Sequence, residues 1–142
     1  MAALQLHLAS RSPRRSELLA QLGITFDVLK PDVDERWDGS LAAEAYVLQL
    51  ARAKAEAGWL QCAGSLPVLA ADTAVVLDDE IFGKPGDEQD ALSMLARLSA
   101  RTHEVYTGVA LRSEKGMASR VSKSRVTFRA LSDQECRSYW QT

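Results

Sequence analysis

Eight side chains combine reactive chemistry with an awkward setting in this sequence: Ser10, Ser12, Arg14, Arg15, Glu35, Lys54, Asp72 and Lys84. Ser10-Arg11-Ser12-Pro13-Arg14-Arg15 reads as the start of a helix, with Pro13 at the first helical position and Ser12 in front of it as the cap. Arginines in a first turn oppose the helix dipole. A phosphate among the amides, the hydroxyls and the guanidinium forks would resolve that conflict, and an exposed helix start with two solvated arginines is the alternative. Asp72 lies within the apolar run Pro67 to Leu77, where an ionised carboxylate needs a cation, a metal or water at a cleft, the alternative being a bulge or turn that merely exposes it. Lys54 has Leu50, Ala51, Ala57 and Gly58 as its helical neighbours and no acidic partner on its own helix, so it either reaches an active site or snorkels to solvent. Lys84 stands between Gly83 and Pro85, on a loop of limited freedom that suits a fixed point charge as well as a plain turn. Glu35 belongs to the acidic loop Lys30 to Gly39, beside Asp32, Asp34 and Asp38. Such a loop is either solvated or a source of oxygen ligands for a hard divalent cation.

Together these residues form a consistent set for polyphosphate chemistry. Arginines and lysines neutralise phosphate, carboxylates hold a metal, and one carboxylate orients or deprotonates an attacking water. No Ser/His/Asp or Cys/His nucleophile set stands out, and there is neither a Walker A sequence nor a G-x-G-x-x-G. His7, in the opening strand, and His103, before a hairpin, are not selected for catalysis.

At 142 residues the chain is most economically one domain, 1–142. Its 46% hydrophobic and 25% charged residues belong to a globular protein and argue against disorder. A formal net charge of -2 provides no global basic field for nucleic acid. Cys62 and Cys136 are far apart and form no metal knuckle or disulfide framework. With no signal-like start and no apolar run of bilayer length, a cytoplasmic protein without membrane partners is expected.

The elements that must position the site follow from periodicity. Strands are expected at Leu4 to Ala9 and Ile24 to Leu29, on either side of a helix from Pro13 to Leu22 whose apolar face is Leu18, Leu19 and Leu22 and which Gly23 ends. Ser40 is expected to cap a long helix from Leu41 to Cys62, with Arg52 and Glu56 as a surface pair. Pro67 to Leu77 is a central strand interrupted by Asp72 and Thr73, and Asp78-Asp79 turns it into a return at Glu80-Ile81-Phe82. Asp87 caps a helix through Leu98 with the stripe Ala91, Leu92, Leu95 and Leu98. Glu104 to Leu111 and Val121 to Leu131 form a hairpin, and Ser132 to Glu135 is a capping box that opens the last helix.

The motifs Leu8 to Arg15, Asp34-Glu35, Ala53-Lys54-Ala55, Ala71-Asp72-Thr73, Gly83-Lys84-Pro85 and His103 to Gly108, in this order and spacing, closely resemble the Maf family of nucleotide pyrophosphatases, also described as septum-formation inhibitor proteins. The resemblance covers Leu4 to Tyr139. It implies an α/β fold similar to that of inosine triphosphate pyrophosphatases, with a mixed elongated sheet, flanking helices and a cleft between two lobes. It also implies metal-dependent hydrolysis of a nucleoside triphosphate to the monophosphate and pyrophosphate. Carried over, Ser10, Ser12, Arg14, Arg15, Lys54 and Lys84 bind the phosphates, and Thr73 belongs to the substrate-binding set. Glu35 and Asp72 hold Mg²⁺ or Mn²⁺, and Asp72 activates water.

Arg14 in S-P-R-R and Thr73 in A-D-T resemble the branch that acts on dTTP and UTP, including modified uridine nucleotides; the branch acting on 7-methyl-GTP tends to show tryptophan and glutamine there. Arg11 departs from the family, which often has a small residue at that place. Family members also continue past the last helix with a G-x-Y-x-I-Q-G stretch, so by resemblance this chain, ending at Thr142, is expected to be C-terminally shortened. The alternatives to the dTTP/UTP reading are the 7-methyl-GTP branch and a nucleotide-binding regulator of cell division with little activity. A homodimer is a candidate assembly.

Overall fold

The sequence periodicities resolve into six strands and four helices in a computed structural model, which describes residues 3–37, 39–62 and 66–141. In chain order these are β1 (Leu6–Ala9), α1 (Pro13–Gln21), β2 (Phe26–Leu29), α2 (Ala43–Gln61), β3 (Val68–Leu77), β4 (Glu80–Phe82), α3 (Glu88–Leu98), β5 (Thr102–Ser113), β6 (Gly116–Thr127) and α4 (Asp133–Trp140). The sheet is mixed and runs β2-β1-β3-β5-β6, with β4 paired to β3. β1 is parallel to β2, with Leu6 opposite Phe26, and parallel to β3, with His7 opposite Val68; β4 is antiparallel to β3. Parallel neighbours need a crossover, and α1 supplies it between β1 and β2. The α/β class and the central position of β3 agree with the sequence reading.

The chain divides into two compact units, one of residues 1–73 and 107–122, the other of residues 74–106 and 123–142. In the first, the core is Ala9, Ala51, Ala55, Val68, Ala70 and Ala110, all fully buried, with Trp59, Cys62 and Met117 packed against it. Small residues dominate because α2 lies close on the sheet. A Cβ built on Gly58 would come 2.9 Å from Val68 Cγ1 and 3.2 Å from Ala9 Cβ, and one on Gly108 of β5 would come 2.6 Å from the Val47 carbonyl oxygen of α2. In the second unit, Ala91 and Leu98 of α3 and Cys136 of α4 are buried with Leu77 and Ile81. Asp78 and Asp79 both adopt positive φ, 51° and 65°, as the tight two-residue turn between β3 and β4 requires. Both cysteines are free thiols. Among the described residues no helix is long and apolar enough to cross a membrane.

Caps explain most helix boundaries, and one expectation fails on them. Ser12, Asp87 and Ser132 accept from Arg15 N, Asp90 N and Glu135 N, and Ser132 completes a capping box with Glu135. Ser40 does not cap α2. The helix starts two residues later than expected, at Ala43, and its N-cap Ala42 has no side-chain cap. The first helical bond runs from Tyr46 N to Ala42 O, and the carbonyl before it, Leu41 O, accepts from the Trp37 indole. On α1 only Leu19 is buried, whereas Leu18 and Leu22 are exposed, since nine residues present one row to the sheet. Glu56 accepts from Arg112 of β5, at 2.6 Å, in place of the expected Arg52, and that guanidinium also lies over the Trp59 ring. β3 runs unbroken through Asp72 and Thr73, because both fit the pleat.

The close approach of β5 to α2 is testable. Gly108→Ala puts a methyl against main chain that cannot rotate away, and overpacking of this kind costs about 2–3 kcal/mol. It should lower the urea midpoint by about 1 M, whereas Gly83→Ala, which meets nothing within 4 Å, should leave the midpoint unchanged.

Candidate functional site

The period of β3 explains why Asp72 is buried. Val68, Ala70, Asp72 and Ala74 alternate onto one side of the strand and all are buried, while Thr73 between them is exposed. Ala70 packs with Ala51 and Ala55 of α2, so the next position on that side, Asp72, meets the next polar group of the same helix. That group is Lys54. Its Nζ lies 3.1 Å from Asp72 Oδ1 and 2.7 Å from Glu35 Oε1, with the lysine side chain 15% and the aspartate side chain 11% exposed. Helical side chains lean toward the helix N-terminus, which carries the lysine back along α2 toward the 30–42 segment where Glu35 resides. The apolar, small-residue setting of Lys54 thus marks a stem that reaches two carboxylates.

Burial is the main influence on Asp72 and raises its carboxyl above the ordinary carboxylate range. The Lys54 charge and hydrogen bond and the Arg15 charge pull it down, and Glu35 pushes it up further. Tyr46, two helical turns before Lys54, donates its hydroxyl to the Glu35 main-chain carbonyl. Its phenol is raised, first by burial and then by the charges of Asp72, Glu35 and Asp34. Asp34 itself is held low by the hydrogen bonds it accepts from Arg36, so it faces a different partner from Glu35. Asp38 lies outside the described residues.

Arg15 reaches the same strand from the start of α1. Its Nη2 donates to Thr73 Oγ1 at 3.0 Å, and Thr73 Oγ1 shares a 3.1 Å hydrogen bond with Thr107 Oγ1 of β5. Ser10 is buried, and its Oγ accepts from Ser12 N at 3.0 Å; Ser12 Oγ accepts from Arg15 N at 3.4 Å. Both hydroxyl oxygens are therefore engaged by main-chain amides, which leaves their O–H groups to donate to an anion. Arg14 is exposed, and Arg11 donates to the Lys30 carbonyl at 3.2 Å. Lys84 is exposed in the loop between β4 and α3 of the second unit.

Within the first unit the fold thus brings together Glu35, Lys54, Asp72, Thr73 and Arg15, and with them Tyr46 and Thr107, to which the sequence reading gave no role. Tyr46 had no signal of its own, since eight residues set it about 80° round the helix from Lys54. Thr107 lay inside a recognised motif, but its pairing with Thr73 depends on the sheet.

The residues present suit a divalent cation such as Mg²⁺ or Mn²⁺. Glu35 and Asp72 already converge on one cationic group, and Mg²⁺ is commonly held by one or two carboxylates together with substrate phosphates. Among the described residues no three His, Cys, Asp or Glu side chains gather to enclose a metal by themselves, so further ligands would come from phosphate and water.

A family model described as Maf-like protein matches residues 5–142. The dTTP/UTP pyrophosphatase of Escherichia coli is 46% identical over 134 residues, 94% of this chain and 68% of the relative. The nucleoside triphosphate pyrophosphatase of Shigella flexneri matches over the same shares at the same identity. Among solved structures, the HAM1 protein of Coxiella burnetii superposes with a TM-score of 0.58 at 20% identity, covering 87% of this chain and 71% of that one. The Ham1 protein of Staphylococcus aureus gives 0.56 at 16%, covering 91% and 72%. At these identities the structural likeness concerns the fold, which agrees with the fold expected from the sequence.

The Asp72 environment predicts opposite effects at its two ends. Because the folded carboxyl is raised above its ordinary 3.8, its contribution to stability is present in full below that pH and is lost as pH rises through the folded value. Asp72→Asn should therefore have a urea midpoint equal to or above that of the parent at pH 7, with the gap closing toward pH 4. Lys54→Met leaves two carboxylates without their cation and should cost about 3 kcal/mol at pH 7, less at pH 4. A Lys54→Met variant as stable as the parent at both pH values would show that the ion pairs are not formed.

Proposed function

The chain belongs to the Maf-like protein family, and on that premise we propose that it hydrolyses dTTP and UTP to the nucleoside monophosphate and pyrophosphate. Modified uridine triphosphates are included as substrates. The observation that carries this reading is the half-buried Lys54 ammonium shared by Glu35 and Asp72, with Arg15 tied to Thr73, the next residue of the strand. Anionic and cationic groups are held side by side, as a metal-dependent phosphoryl reaction requires. The relatives named dTTP/UTP pyrophosphatase support the choice of nucleotide.

In this reading Asp72 takes a proton from water as the water oxygen bonds to the α-phosphorus. The bond between that phosphorus and the α,β-bridging oxygen breaks, and pyrophosphate leaves with the electron pair. A carboxylate raised toward neutrality is a better base than an ordinary one, and burial supplies that shift. Arg15, Lys54 and the Ser10 and Ser12 hydroxyls bind phosphate oxygens, Arg14 adds charge at the start of α1, and Thr73 orients the Arg15 guanidinium. Lys84 is a further phosphate ligand by family resemblance. Glu35 and Asp72 would hold Mg²⁺ or Mn²⁺, which when bound supplies neutralisation of phosphate charge.

Incubation with dTTP or UTP and Mg²⁺, resolved by anion-exchange chromatography, should yield monophosphate and pyrophosphate. Orthophosphate as the product would overturn the reaction type, and cleavage of 7-methyl-GTP alone would overturn the nucleotide assignment. Asp72→Asn should lower kcat by about 100- to 10,000-fold while calorimetry still detects nucleotide binding. An active Asp72→Asn enzyme removes Asp72 from the role of base.

A further inference from the structure

We propose that Tyr46 is a positioning residue for Glu35, pinning its main chain to α2 so that the carboxylate stays available to a divalent cation when Lys54 engages phosphate. The inference rests on the function proposed above. Its basis is a two-point attachment. The Tyr46 hydroxyl donates to the Glu35 carbonyl, and the Glu35 carboxylate meets Lys54 Nζ at 2.7 Å. Both partners belong to α2, eight residues apart, which sets them about 80° apart round the helix and about 12 Å apart along its axis.

The two attachments differ in what they can do. Lys54 carries a full charge on four rotatable methylenes and already divides it between Glu35 and Asp72, so an incoming triphosphate competes directly for its ammonium. Tyr46 is a neutral donor on a rigid ring next to the buried Val47, and its acceptor is a main-chain oxygen that takes no part in binding phosphate. The segment it restrains runs from β2 to α2 without helix or strand among its described residues, so side-chain attachments are what hold it. Trp37, whose indole donates to Leu41 O, fastens the same segment nearer the helix, and Tyr46 fastens it at Glu35.

Partners that orient a metal-binding side chain are worth about 10- to 100-fold in metal affinity or activity. Tyr46→Phe deletes one oxygen and should raise the Mn²⁺ dissociation constant, measured by electron paramagnetic resonance with the non-hydrolysable α,β-methylene analogue of dTTP bound so that Lys54 is engaged by phosphate, by about 10-fold. The Mn²⁺ concentration that half-saturates turnover should rise in parallel, with KM for dTTP and the urea midpoint little changed. In a Glu35→Gln background the same substitution should have no further effect on Mn²⁺ affinity, because Tyr46 acts through Glu35. An unchanged dissociation constant, an equal effect in the Glu35→Gln background, or a Tyr46→Phe protein that no longer folds would each overturn the proposal. The titration reads binding and involves no turnover, so a parent that binds Mn²⁺ in this complex yet releases no pyrophosphate from dTTP counts against the proposed function alone.

Discussion

One ammonium group, Lys54 Nζ, is the point on which the first unit turns. It joins Glu35 from a segment without regular structure to Asp72 from the centre of the sheet. A carboxylate as buried as Asp72 would be strongly unfavourable alone, and the shared cation lowers that penalty without removing it, since the Asp72 carboxyl still lies above its ordinary range. The residue therefore retains an elevated proton affinity because its compensation is incomplete. A fully neutralised aspartate would be more stable and a poorer base.

For Lys54 to reach that point, α2 must lie very close to the sheet. Ala51, Ala55 and Gly58 on the helix meet Ala9, Val68 and Ala70 on β1 and β3, and Gly108 of β5 faces the Val47 main chain with no room for a methyl. Each small residue forgoes apolar burial of its own, roughly 0.8 kcal/mol for every methylene absent. What results is a helix axis near enough for a lysine stem to lie along the core and deliver its charge to β3. Core composition and the location of the charge are consequently one design feature.

A second line of contacts carries charge to the same strand from the other end of the sequence. Ser12 sets the start of α1, which aims Arg15, and Arg15 meets Thr73, which is tied to Thr107. Asp72 and Thr73 are adjacent in sequence, so the pleat sends one toward α2 and the other away from it. Two systems of opposite charge thus converge on neighbouring residues of one strand. An arrangement of this kind suits a substrate that is itself polyanionic and attacked by water.

Much of the chain's character lay open in its residue types. The order of elements, the capping of α1, α3 and α4, the central position of β3 and the out-of-place polarity of Lys54 and Asp72 follow from local spacing, because helix and strand periods and cap chemistry act over a few residues. The start of α2 did not follow, because its N-cap, Ala42, has no side-chain cap to mark it. Nor did the true partner of Glu56, which is Arg112 on β5, or the exposure of Leu18 and Leu22. Residue types alone established that Lys54 and Asp72 each needed a partner; only the tertiary structure decided that they are partners of each other, that Glu35 joins them and that Tyr46 holds Glu35. The reason is physical: a local pattern records the environment a side chain requires, while the identity of its neighbour is settled by which strand lies beneath which helix, at distances that sequence separation does not encode.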